Sequence, residues 1–167
     1  MTTTVHTIGH SKHPIEVFIG LLRRHGVATL VDVRSRPHSR WAPQFKKSAL
    51  ESSLAAAGIE YVFLGQDLGG RPDGAEYYDP EGHVDYRRLA SSPRFRAGVD
   101  RLAGIARQSA TAIMCAEEDP NQCHRRLLIA PVLRRRDVTV LHIRGDGRVQ
   151  SEDDLGDVAA QLPLFEP

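Results

Sequence analysis

Short β-branched runs alternate along the chain with longer runs whose apolar residues recur at helical spacing. Thr3-Thr4-Val5-His6-Thr7-Ile8 reads as a strand that ends at Gly9-His10-Ser11. Pro14 suits a first helical position, and Ile15, Phe18, Ile19 and Leu22 then share one face of a helix that Gly26 stops. Thr29 to Val33 is a second strand, followed by a basic loop from Arg34 to Phe45. A helix is predicted over 46–57, closed by Gly58, and a third strand over 60–64. The stretch 65–85 is rich in Gly, Pro, Asp and Tyr, and is long for a plain connection, so it reads as a lid or binding loop. A helix over 93–108 precedes Thr111-Ala112-Ile113-Met114-Cys115, a strand without polar alternation and hence buried on both faces. Asn121 is placed to cap a helix running from about Gln122 to Arg134, and Val138 to Ile143 is the last core strand.

This alternation predicts an α/β fold: a single domain with a mostly parallel sheet and helices on both faces. The domain is expected over 1–150, with 151–167 as an acidic stretch and a tail. In such sheets ligands gather beyond the carboxyl ends of the strands. Gly9-His10-Ser11, Arg34-Ser35-Arg36, Leu64-Gly65 and Cys115-Ala116-Glu117 all follow strand ends, so four chemistry-bearing segments are expected on one rim.

Composition narrows the class. With 167 residues, 41% hydrophobic and 26% charged, the chain is an ordinary globule rather than a disordered or fibrous one. Two cysteines are too few for a disulfide-built secreted scaffold. No apolar run approaches the roughly 20 residues of a membrane span, and no signal peptide is visible at the start, so the expectation is a cytoplasmic protein without a membrane partner. Net charge is +1, which gives no global attraction to nucleic acid. Lys12, Lys46 and Lys47 are the only lysines, so the cations are mostly arginines, suited to planar recognition of phosphate or carboxylate.

The run Cys115-Ala116-Glu117-Glu118-Asp119-Pro120-Asn121-Gln122-Cys123-His124-Arg125 carries the most chemistry. A thiol in the first turn of a helix is acidified, which makes Cys123 a candidate nucleophile with a histidine such as His124 as base. Arg125 at the same helix start is a candidate anion binder. Alternatively Cys115, Glu117 and Cys123 supply ligands to a divalent metal, or the two cysteines form a redox pair. Cys123 and His124, if helical, point about 100° apart, so a shared ion is awkward and a four-ligand zinc knuckle is not indicated. The bland alternative is two packed cysteines and a capping loop. His10 and Glu117 are candidate acid/base groups, and Ser11, Arg34, Arg36 and Arg71 candidate anion contacts. Ser11 as a helix cap and the distal basic loop as a solvated face are the structural alternatives. Trp41 can stack on a base or pack beneath its loop.

The end of the chain reads separately. Gln161-Leu162-Pro163-Leu164-Phe165 resembles the Gln-Leu-x-Leu-Phe peptide by which bacterial replication and repair proteins bind the sliding clamp, with Gln161, Leu162, Leu164 and Phe165 as its contact residues. The alternative is a tail folded back on its own domain.

Several of these motifs together are similar to the bacterial "domain of unknown function 488" family. They are Thr7-Ile8-Gly9-His10-Ser11, Asp32-Val33-Arg34 with Pro37 and Ser39, Gln44-Phe45, Leu68-Gly69-Gly70-Arg71, and Cys115-x-Glu117 followed by Cys123-His124-Arg125. The resemblance spans about 5–145 and implies a shared site built from these motifs, with no activity attached. The expectation is therefore an enzyme, a hydrolase or a nucleotide- or nucleic-acid-modifying one. It would hold a phosphate, nucleotide or nucleic acid, act in DNA metabolism and reach the clamp through its tail. A non-catalytic DNA-associated adaptor and a metal or redox protein are the alternatives.

Overall fold

In the computed structural model, which describes residues 2–156, the fold is set by where the buried strands lie. The strands are β1 (Thr3–Gly9), β2 (Thr29–Asp32), β3 (Glu60–Phe63), β4 (Thr111–Cys115), β5 (Val138–Ile143) and β6 (Val149–Ser151). They form one sheet in the order β3-β2-β4-β1-β5-β6, parallel except for the antiparallel β5–β6 edge. β2 and β4 are buried at every position, as expected for central strands covered on both faces.

Side chains alternate across the pleat into two cores. Ile8, Leu30, Ala112 and Met114 face the helices α1 (Ile15–Arg24) and α2 (Lys47–Ala56), meeting Phe18, Leu22, Leu50 and Leu54. On the other face Val5, Val31 and Ile113 meet Phe95, Val99 and Leu102 of a long helix, Pro93–Gln108, and Leu128 and Leu133 beyond β4. The β1–α1–β2–α2–β3 half therefore winds over one face, and the half from β3 to β5 returns over the other. β4 lies between β1 and β2, whose connections leave on the opposite face, so a crevice opens beyond its carboxyl end.

Several sequence expectations are corrected here. The 65–85 stretch, expected as a lid or binding loop, has structure of its own: it holds α3 (Gly65–Leu68), a 3₁₀ turn (Ala75–Tyr77) and a bridge between Tyr78 and Val84. It is followed by α4 (Tyr86–Ala90), and the long helix is thus α5. Asn121 is not a helix cap. It lies in a 3₁₀ turn (Pro120–Gln122) capped by the Asp119 carboxylate, which accepts from the Asn121 N–H at 2.9 Å. The following helix opens with a π turn (Arg125–Ile129) before α6 (Ala130–Arg134). The domain also runs past residue 150. β6 leads into α7 (Glu152–Leu155), started by a capping box between Ser151 and Asp154, and Glu152 is buried against the core. The Gln161–Phe165 peptide lies outside the described residues. No helix among the described residues is long and apolar enough to cross a membrane.

Beyond the strand ends the β1–β4 ladder continues, with His10 N–H donating to the Cys115 carbonyl and Ser11 N–H to the Ala116 carbonyl, both at 2.9 Å. Ser11 takes φ of 48°, an uncommon left-handed turn for a non-glycine residue. Gly9 is opposite Cys115, and a Cβ there would run into the main chain at Glu117 and Glu118. Gly9→Ala is therefore expected to lower the melting temperature sharply. Gly20→Ala, on the exposed side of α1 with nothing within 4 Å, should be neutral or stabilising by about 0.5–1 kcal/mol. Equal melting temperatures for the two variants would contradict the close loop contact.

Candidate functional site

The segments that leave β1, β2 and β4 meet at the crevice. A cavity of about 810 Å³ is lined there by His10, Arg34, Ser35, Arg36, Gly70, Arg71, Cys115, Glu117, Cys123 and His124, among others. Its outer wall comes from the 79–87 segment, including Asp79, His83, Asp85 and Arg87.

Arg34 is built in rather than mobile. Its Nε and Nη2 donate to the two oxygens of Asp32 at 2.9 and 2.8 Å, a bidentate pair in which Asp32 is fully buried. Tyr61 donates its hydroxyl to the same carboxylate at 2.6 Å, and Arg34 Nη1 donates to His10 Nε2 at 3.3 Å. A guanidinium carries five N–H groups, so these contacts leave donors for a ligand. His10 is stacked 4.4 Å from Phe45 and donates its Nδ1–H to the Ser11 carbonyl at 2.8 Å. Burial pushes its pKa down to about 4, with the Arg34 charge acting in the same direction. Both ring nitrogens are thus engaged, Nδ1 with the Ser11 carbonyl and Nε2 with the Arg34 guanidinium.

Arg125 is also reassigned. Instead of holding an anion, it is fully buried and absent from the cavity wall. Its Nε donates to Thr7 Oγ1 at 3.0 Å, Nη1 to Cys115 Sγ at 3.0 Å and to the Glu117 carbonyl, and Nη2 to the Glu118 carbonyl at 2.7 Å. Burial lowers its pKa to about 10, so it stays charged at neutral pH. A second clamp is Arg144, whose Nε and Nη2 reach Glu118 at 2.9 and 3.0 Å. That pair holds the Glu118 carboxyl below its ordinary range. Glu118 is therefore structural, whereas the Glu117 side chain is exposed on the cavity.

The sulfurs of Cys115 and Cys123 meet as a disulfide. His124 donates Nε2–H to the Val33 carbonyl at 2.9 Å, which leaves the Nδ1 lone pair 3.7 Å from Cys123 Sγ. Burial pushes the His124 pKa down to about 4, assisted by the Arg125 charge. Cys123 and His124 do not diverge as helical neighbours would, because the backbone at Cys123 is extended, at φ −134° and ψ 141°. Cys115, Cys123 and His124 present ligand atoms within 4.8 Å of one another, and Glu117 is not in that group.

Other expected residues fall elsewhere. Ser11 is not on the cavity wall and does not cap α1, whose N-terminus has no side-chain cap. Trp41 is 77% exposed and lies off the cavity, and Lys47 sits over the Phe63 ring at 4.7 Å. Sequence reasoning missed Ser35, whose hydroxyl accepts from the Arg71 N–H at 2.9 Å and pins the Gly69-Gly70-Arg71 turn to the strand β2 end. Nothing in the spelling of Ser35 marks it out.

The fold and cavity define the class: a doubly wound α/β protein with a cysteine pair and guanidiniums gathered at the carboxyl ends of its central strands. The chain belongs to the family described as Domain of unknown function DUF488, whose model matches residues 14–131. No curated protein and no solved structure matches it.

The low pKa of His10 has a consequence for stability. Its folded pKa of about 4 lies below the unfolded value of about 6.5, so between them the unfolded chain binds more protons. Stability is full above about pH 6.5 and falls as the solution is acidified toward 4. The melting temperature should drop between pH 7 and 5, and the drop should be shallower in His10→Gln. An identical slope in the variant would contradict a neutral, buried His10.

Proposed function

We propose that the chain is an enzyme whose cavity takes a phosphate-bearing small molecule of about nucleotide size, with the Cys115–Cys123 pair as its reactive centre. One observation carries this reading: the guanidiniums of Arg34, Arg36 and Arg71 line the same cavity as both cysteines and His124. About 810 Å³ falls within the range usual for small-molecule sites. Arg34 is preorganised by Asp32, and the exposed Arg36 and Arg71 add charge that a bound phosphate can order.

The wall also carries the carboxylates of Asp79, Asp85 and Glu117, which are outnumbered by the guanidiniums of Arg34, Arg36, Arg71 and Arg87. Asp79 accepts from the Glu81 and His83 N–H groups at 2.9 and 2.8 Å, and Asp85 from the Arg88 N–H at 3.1 Å. In the proposed roles Arg34, Arg36 and Arg71 hold the anion, Glu117 moves a proton, and His10 positions Arg34. A hydrolase or a nucleotide-modifying enzyme fits this set of groups. Recruitment to a sliding clamp through Gln161–Phe165, and with it a place in DNA metabolism, is proposed on the peptide's sequence alone.

Calorimetric titration with inorganic pyrophosphate tests the anion site. Arg36→Ala and Arg71→Ala should each weaken binding by about 10–100-fold, as expected for lost hydrogen bonds to a charged group worth about 1.5–3 kcal/mol. Both side chains are exposed, so folding should be unaffected. Binding that is absent from the wild type, or unchanged in both variants, would contradict the reading.

A further inference from the structure

We propose that, in its dithiol form, the chain binds one thiophilic divalent cation, zinc in class, through Cys115 Sγ, Cys123 Sγ and His124 Nδ1. The three atoms already lie within 4.8 Å of one another. Zn–S and Zn–N bonds of roughly 2.3 and 2.05 Å at a tetrahedral angle put sulfur and nitrogen about 3.6 Å apart. Cys123 Sγ and His124 Nδ1 are 3.7 Å apart.

Three further observations point to a ligand. A metal-bound histidine usually donates its other N–H to a carbonyl or carboxylate, and His124 Nε2 does so to the Val33 carbonyl at 2.9 Å. Gly70 packs on the ring so closely that a Cβ there would sit 2.9 Å from His124 Cγ, which fixes the ring's orientation. Finally, the backbone holds the Cα atoms of Cys115 and Cys123 7.5 Å apart, wider than the usual 4.4–6.8 Å of a disulfide and suited to an ion between the sulfurs. Arg125 Nη1, 3.0 Å from Cys115 Sγ, supplies the hydrogen bond that a bound thiolate accepts.

Two sulfurs and an imidazole nitrogen select zinc-like ions over magnesium or calcium. On binding, the two thiols release their protons to water and the two thiolates balance the charge of the ion. The disulfide withdraws both sulfurs from this role, so the ion requires the reduced pair. Three protein ligands leave a fourth position, as in catalytic zinc sites, and all three ligands line the cavity of Arg34 and Arg71. What fills that position rests on the anion reading above; the ligand set does not.

The test is a titration of the full chain, reduced with a phosphine and stripped by a chelator, with Co²⁺ under argon. One equivalent should develop a thiolate-to-cobalt charge-transfer band and tetrahedral d–d bands. Both should vanish in Cys123→Ser, and the affinity should fall at least tenfold in His124→Gln. Zn²⁺ should displace the cobalt and protect both cysteines of the wild type from alkylation, a readout that needs no variant. Absence of the charge-transfer band, its persistence in Cys123→Ser, or alkylation at the same rate with and without Zn²⁺ would overturn the site. Pyrophosphate titration of the same metal-free protein separates the two proposals: cobalt binding without pyrophosphate binding rejects the anion reading alone.

Discussion

The buried guanidinium of Arg125 holds the site together. A fully buried cation is costly, and here no carboxylate lies within 4 Å of it among the described residues. The charge is met instead by a hydroxyl, a sulfur and two main-chain carbonyls, all placed by the loop that it fastens. Removing the guanidinium would leave the Glu117 and Glu118 carbonyls unpaired beside the Gly9 backbone. The loop carries Cys115 at one end and Cys123 with His124 at the other, so its path decides whether these groups face one another. A thiolate at Cys115 would also lower the cost of burying the cation.

That fastening extends across the sheet as a chain of buried polar groups. Thr7 accepts from Arg125 and donates its hydroxyl to His142 Nδ1 at 2.7 Å. His142 Nε2–H donates to Glu152 Oε1 at 2.7 Å, and Arg126 Nε donates to Glu152 Oε2 at 3.0 Å. Every member has a partner, the condition under which a buried polar network rigidifies rather than weakens a core. It explains why α7 packs on the domain despite its acidic sequence. Glu152 is the carboxylate that the buried Arg126 requires, with both side chains 9% exposed or less.

The layered fold was legible because it rests on local signals. The apolar β2 and β4 runs, the amphipathic α1 and α5, and the glycines after helices are all readable without tertiary information. What the pattern hid were features decided by long-range contacts. The 149–155 segment has few apolar residues, and its folding depends on partners at Arg126 and His142, far away in sequence. Arg125 and Arg34 look alike in the sequence as arginines beside strand or helix ends. Only packing separates the one sealed in the core from the one on the cavity. The Cys123–His124 pairing was obscured by the expectation of a helix from about Gln122, three residues before its start at Arg125.

Cys115 and Cys123 share a single cavity with Arg34, Arg36 and Arg71, and both cysteines reach it on the loop that Arg125 fastens. Mass-spectrometric rates of iodoacetamide modification at Cys115 and Cys123, in reduced, metal-free protein with and without saturating pyrophosphate, test it most directly. The reagent is neutral, so charge repulsion does not enter. A shared cavity predicts marked slowing at both cysteines when the anion is bound. Pyrophosphate that binds yet leaves both rates unchanged would contradict it.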